Sequence, residues 1–291
     1  MELQRFRRID DFYRRAERFL LAHEAEHNLI LGLCTSARRQ PADFDQQPYL
    51  AVVEQQGAVA AVALMTPPLN LILSHLTTNQ VLPLIAQDVY RLSPILPGLL
   101  APRAAAEQFA ACWQTLSGQP YRLRTAERIY QLDAVIPVQG VPGRLRRAGD
   151  ADRALLVAWA VAFYAEADRQ TDLRRARTLA ERNIDARLHA DAGGYYLWVD
   201  GEPVSLAGCT GPTPNGIRIG PVYTPPEQRG HGYASAAVAA LSGSLLDRGY
   251  RHCYLYTDLS NRTANKIYQA IGYRPVSDVE MYAFIQAETE K

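Results

Sequence analysis

Within this 291-residue chain, Gln228-Arg229-Gly230-His231-Gly232-Tyr233-Ala234-Ser235 is a stretch whose backbone alone could do chemistry. It lies between an apolar, strand-like run, Ile217 to Tyr223, and an Ala-rich helical run reaching about Arg248. A helix that starts directly after a glycine-rich turn leaves its first N–H groups unpaired, and the glycines let a phosphate approach them. The stretch therefore reads as an anion cradle, although an ordinary strand-to-helix turn uses glycine in the same way. A second signal lies downstream. There a β-type run, Cys253-Tyr254-Leu255-Tyr256-Thr257, leads into Asn261-Arg262-Thr263-Ala264-Asn265-Lys266-Ile267-Tyr268-Gln269-Ala270-Ile271-Gly272-Tyr273. Asn261, Asn265 and Tyr268 fall at i, i+4 and i+7, one face of a helix, and Ala264, Ile267 and Ile271 make the adjacent apolar stripe.

Arg229, Gly232 and Ala234 keep the spacing R/Q-x-x-G-x-G/A, and Asn261 to Tyr273 keeps N-x-x-A-x-x-x-Y-x-x-x-G-F/Y. In this order and context the two motifs resemble the signatures of the GNAT superfamily of N-acetyltransferases, over about residues 144 to 285. The resemblance implies an α+β fold of αβα layers, with a mixed, mostly antiparallel central sheet flanked by helices. It implies acetyl-CoA as co-substrate, an amine of a small molecule or peptide as acceptor, and no metal. Arg229, Gly230, His231, Gly232, Tyr233, Ala234 and Ser235 would hold the pyrophosphate. Val222, Tyr223 and Thr224 would pair their backbone with the pantetheine amides, like an added strand. Asn261, with Asn265 beside it, matches the position that holds the pantetheine arm, and Tyr268 matches the general acid for the departing thiolate. The base is not identified: Glu166 and a water chain to bulk solvent are both open.

These residues need elements to position them. Asp10 to Leu33 reads as one or two helices, and Tyr49 to Val53 with Ala58 to Met65 reads as a hairpin. The design returns as Tyr195 to Val199, an Asp200-Gly201 turn and Pro203 to Gly208. Pro97 to Pro102 then leads into a helix, Ala104 to Leu116, much as Gly220 to Pro225 leads toward the cradle helix. The matched pairs point to an internal duplication. In this reading residues 1–135 are a degenerate GNAT-like domain without a CoA site, because Arg103-Ala104-Ala105-Ala106 lacks the glycines. Residues 136–143, rich in Pro and Gly, are a linker, and 144–291 are the catalytic domain. In the latter, Asp150 is placed to cap a helix reaching about Ala165, and a charged helix covers about Asp172 to His189. By the resemblance these helices border the acceptor cleft, which brings Glu166 and Asp168 toward the substrate.

Composition narrows the classes. With 31 basic and 30 acidic residues the formal net charge is +1, which argues against a general attraction to nucleic acid or anionic membrane. Apart from Lys266 and Lys291 the basic residues are arginines, scattered among acids. Cys34, Cys112, Cys209 and Cys253 are far apart, as expected of free thiols in a reducing cytosol. No apolar run is long enough for a membrane span, and a cytoplasmic protein is expected. His23-Glu24-Ala25-Glu26-His27 satisfies H-E-x-x-H, the zinc spacing, but has no supporting third ligand nearby in sequence, so a solvated helix face is the expectation. Besides an acetyltransferase, two other classes stand: a CoA-binding regulatory or acceptor-recognition protein without turnover, and a metalloprotein built on His23 and His27.

Overall fold

The computed structural model describes residues 1–39, 47–167 and 172–285; Asp168 lies outside them. Two compact units are built from discontinuous segments. Unit 1 takes Met1–Tyr130, Tyr256–Arg262 and Pro275–Lys291; unit 2 takes Gln131–Leu255 and Thr263–Arg274. The division of the chain at 136–143 is thus a division of sequence order, whereas packing assigns the final strand to unit 1.

The chain runs β1 (Glu2–Arg5), α1 (Ile9–Ala22), α2 (Asn28–Arg39), β2 (Tyr49–Gln55), β3 (Ala58–Met65), β4 (Leu71–Leu73), α3 (Val81–Leu92), β5 (Gly98–Pro102), α4 (Arg103–Ser117) and β6 (Tyr121–Leu132). It continues with β7 (Arg144–Arg147), α5 (Arg153–Ala167), α6 (Leu173–Leu188), β8 (Gly194–Asp200), β9 (Glu202–Thr210), β10 (Gly216–Tyr223), α7 (Tyr233–Asp247), β11 (His252–Asp258), α8 (Arg262–Ile271) and β12 (Arg274–Phe284). The same order of strands and helices occurs twice. It corrects the register read from sequence, because the counterpart of β10 and the cradle helix α7 is β4 and α3. Pro97 to Pro102 with its helix corresponds instead to β11 and α8. Ala105, which stood for a silent cradle, is a packing residue of α4 with 2% exposure.

In unit 1 the strands lie in the order β1-β2-β3-β4-β5-β12-β6. The place between β5 and β6 is filled from the end of the chain: Val279 to Ala283 of β12 pair antiparallel with Pro102 to Gly98 of β5. On its other side, Arg128 of β6 grips Asp278 through Nε and Nη2 at 2.6 and 2.9 Å, a bidentate pair that fixes register as well as adding attraction. The β2–β3 hairpin closes with Gln56 and Gly57 both at positive φ, the two central positions of a type I′ turn. The core of the unit gathers Phe109, Trp113, Leu99 and Phe284, and Trp113 donates its indole N–H to Gln119 Oε1 at 2.8 Å, so the ring is buried without an orphan donor.

In unit 2 the order is β7-β8-β9-β10-β11, with β10 and β11 parallel and the other pairs antiparallel. Its core packs Leu156, Ile184, Leu197, Leu206 and Tyr223. Asp150 does not cap α5 directly but lies in a short 3-10 turn over Asp150–Asp152, whereas Asp172 caps α6 by accepting from Arg174 and Arg175 N–H. Among the described residues no helix is long and apolar enough to cross a membrane.

Candidate functional site

β10 carries the first feature of the site. Its register against β9 shifts between Ile219 and Val222, where Gly220 stands at φ 145° before Pro221. A bulge bends a strand away from its neighbour, and here the parallel register with β11 runs from Gly216↔His252 to Arg218↔Tyr254, before the bulge. Val222 and Tyr223 keep β9 on one side, opposite Ala207 and Leu206. On the other side the register with β11 extends no further than Arg218.

The chain then passes a 3-10 turn at Pro226–Gln228 and enters α7 through Gly230 at φ 85° and Gly232 at φ 81°. Only glycine takes such angles without strain. A Cβ built on Gly230 would meet nothing within 4 Å, so this face of the loop is open to a ligand. At Gly232 a Cβ would lie 2.9 Å from Val141 Cγ2, so that glycine is demanded by packing as well as by φ. Ala236 N–H bonds Gly232 O, which leaves the earlier N–H groups of α7 for the loop side. Tyr233 stacks on His231 at 5.5 Å and donates its hydroxyl to Asp200 Oδ2 at 2.8 Å, tying the start of α7 to the β8–β9 turn.

Arg229 does not point to the loop mouth. Its Nε donates to Thr224 O at 2.9 Å and its Nη2 to both oxygens of Glu166 at 2.8 Å. Tyr223 O accepts from Ser205 Oγ at 3.3 Å, and Thr224 Oγ1 bonds Ser205 Oγ at 2.8 Å. The carbonyls of Tyr223 and Thr224 are thus engaged internally.

Tyr268 sits on α8 with Asn265, and Asn261 immediately precedes that helix, with its N–H bonded to Asp258 O. The ring of Tyr268 meets Tyr273 edge-on at 6.0 Å, and the Tyr273 hydroxyl bonds Ser242 Oγ of α7 at 2.8 Å. Burial pushes the Tyr268 hydroxyl up to about 12, which keeps it protonated at neutral pH, the state a proton donor needs.

The H-E-x-x-H string behaves otherwise than expected. His23 ends α1, and His27 lies in the turn before α2 at 1% exposure, so the string is not a solvated helix face. His27 Nδ1 donates to Leu20 O at 2.9 Å and Nε2 accepts from His75 N–H at 3.0 Å, leaving neither nitrogen for a metal. Burial, then the neighbouring His23 and His75, lowers it to about 4. Among the described residues no cluster of His, Cys, Asp or Glu is arranged to hold a metal. Burial raises the thiols of Cys34, Cys209 and Cys253 to about 12, so they are not nucleophiles at neutral pH.

Comparisons with known proteins bear on the fold and on one segment of the chain. Residues 155–273 match the acetyltransferase (GNAT) family model. A tandem GNAT protein from the clavulanic acid biosynthesis pathway is 13% identical, with 99% of each chain covered and a TM-score of 0.56. A GCN5-related N-acetyltransferase from Sphaerobacter thermophilus is 17% identical, covering 98% of this chain and 96% of its own, with a TM-score of 0.58. A GNAT-family acetyltransferase from Colwellia psychrerythraea is 12% identical, covering 98% and 99%, with a TM-score of 0.53. At these identities the likeness is one of fold. No curated protein sequence matches the chain. The glycine-rich entry to α7, the bulge in β10 and Tyr268 of α8 all fall inside residues 155–273, the segment that matches the acetyltransferase (GNAT) family model.

Proposed function

We propose that the chain transfers an acetyl group from acetyl-CoA to an amine of a small molecule or peptide, by direct attack, with Tyr268 as the general acid. The observation that carries this reading is the protonated Tyr268, tied through Tyr273 to Ser242 on the helix whose first turn forms the cradle. One helix then sets the distance between the bound pyrophosphate and the proton donor.

The loop from Gly230 to Ser235 would take the pyrophosphate on its N–H groups, with Gly230 giving the open approach, and so fix the thioester; this is catalysis by positioning. Val222 would meet the pantetheine arm beyond the bulge, and Asn261 and Asn265 would steady that arm. The amine nitrogen attacks the thioester carbon, the C–S bond breaks, and Tyr268 gives its proton to the leaving sulfur. The amine loses its own proton to a base or to water. Free amines hold their proton to a pKa of about 10.4, so removing that proton is a required step. Tyr268 regains a proton from solvent. The first half of the chain, residues 1–135, is proposed as a duplicated domain without a cofactor site.

The test is release of free CoA thiol with acetyl-CoA and a panel of amines. Turnover with any amine supports the reading. Tight acetyl-CoA binding without turnover across the panel would favour a CoA-binding regulator.

A further inference from the structure

Residues 136–143 were expected to be a linker, but within unit 2 the stretch from Ala134 to Gly143 is held at both ends, against α7 and its neighbours. At one end Ile136 N–H donates to Ile271 O, the last residue of α8, at 2.7 Å, and Ala134 O lies 2.8 Å from the position a Cβ would take on Gly272. At the same end Val135 Cγ2 lies 3.9 Å from the Cβ position of Gly243 in α7. At the other end Val141 Cγ2 lies 2.9 Å from the Cβ position of Gly232, Pro142 O accepts the Trp198 indole N–H at 2.8 Å, and Val199 O lies 2.5 Å from the Cβ position of Gly143. The spans match: six extended residues cover roughly 20 Å and eleven helical residues roughly 16 Å, so the segment runs antiparallel to α7 with little slack.

We propose that this segment is a strap that positions the cofactor cradle, with Val141 as the positioning residue for Gly232, whose left-handed backbone starts α7. The proposal rests on the reading of that loop as the acetyl-CoA site. The strap reaches both the end of the helix that carries Tyr268 and the start of the helix that carries the cradle. It thereby sets the two against each other, acting through Gly232 without touching the ligand. The side chain missing at Gly232 leaves room for the strap, whereas the one missing at Gly230 leaves room for the phosphate.

Calorimetric titration with acetyl-CoA, with a thermal melt for each variant, tests this on the full chain. Val141→Ala, which removes Cγ2, should weaken acetyl-CoA by about tenfold with little change in the melt, and Val141→Ile, which keeps it, should bind normally. Gly232→Ala should bind poorly, and Gly232→Ala with Val141→Ala should recover part of the loss, because the added methyl then finds space. Normal affinity in Val141→Ala, or strictly additive losses in the double variant, would overturn the strap while leaving the acetyl-CoA reading intact. Failure of the unaltered chain to bind acetyl-CoA would overturn both.

Discussion

Arg229 reaches back to Glu166 and holds both of its carboxylate oxygens at 2.8 Å through one guanidinium nitrogen. The first residue of the cradle motif is therefore a clasp on the end of α5, and Glu166 is an anchor with its oxygens occupied. The pair is half exposed on each side, so it contributes at most about 1 kcal/mol to stability.

Glu166 was one of two options for the base, and its occupied oxygens favour water. Glu166→Gln should keep turnover within about fivefold and leave the rise of rate with pH unchanged, since removing a true base costs about 10² or more. A pH–rate profile of the variant checks this; loss of the rising limb would restore Glu166 to the chemistry.

Tyr268→Phe keeps the ring against Tyr273 and removes only the hydroxyl, so acetyl-CoA affinity should hold while turnover falls by roughly 10²- to 10⁴-fold. In the unaltered enzyme the hydroxyl, raised to about 12, should cause no fall in rate as pH approaches the ordinary tyrosine value of 10.0. Near-normal turnover in Tyr268→Phe would mean that the thiolate leaves without this proton.

How far the site was legible depends on the range of its determinants. The cradle and the Asn261-to-Tyr268 helix are local: glycine at positive φ and side chains one turn apart are written in consecutive residues. The helix starts at Arg262, which puts Asn261 just ahead of it. The strap was missed because Pro137, Gly140, Pro142 and Gly143 signal irregular backbone and say nothing of what that backbone packs on. A weak signal was present in Gly232 and Gly243, small residues on one helix that leave room for something to cross. The seating of β12 against β5 joins residues far apart in sequence, and no local pattern specifies it. The repeat was recognised but taken one strand too late, because proline-flanked apolar runs precede both α4 and the cradle.

Acid should weaken unit 1 through His27. Its folded value, about 4, lies below the ordinary 6.5 because burial penalises the charged ring. The unfolded chain therefore binds the proton first as pH drops. The contribution is fully present above pH 6.5, and it is lost as pH falls through that value toward 4, to a limit of ~3 kcal/mol. His27→Gln can still donate to Leu20 O and accept from His75 N–H but cannot charge. Its melting temperature should fall less than that of the unaltered chain across this window; parallel curves would remove His27 as the cause.

The last prediction concerns stoichiometry. In the element order, the counterpart of the cradle is the turn from Ser74 to Gln80, between β4 and α3. It has no glycine, and four of its N–H groups are spent: Ser74 on Val62 O, His75 on His27 Nε2, Thr77 on Ala60 O and Gln80 on Thr78 Oγ1. A pyrophosphate arriving there would have to break those bonds, each with a net worth of about 1 kcal/mol and costlier when a buried partner is left unpaired. Calorimetry should give one acetyl-CoA per chain. Gly230→Val, which fills the open face of the cradle, should abolish that single event, while His75→Ala, which leaves the backbone N–H in place, should not change it. Two binding events per chain, or one that survives Gly230→Val, would mean that the first half holds the ligand despite its internally bonded turn.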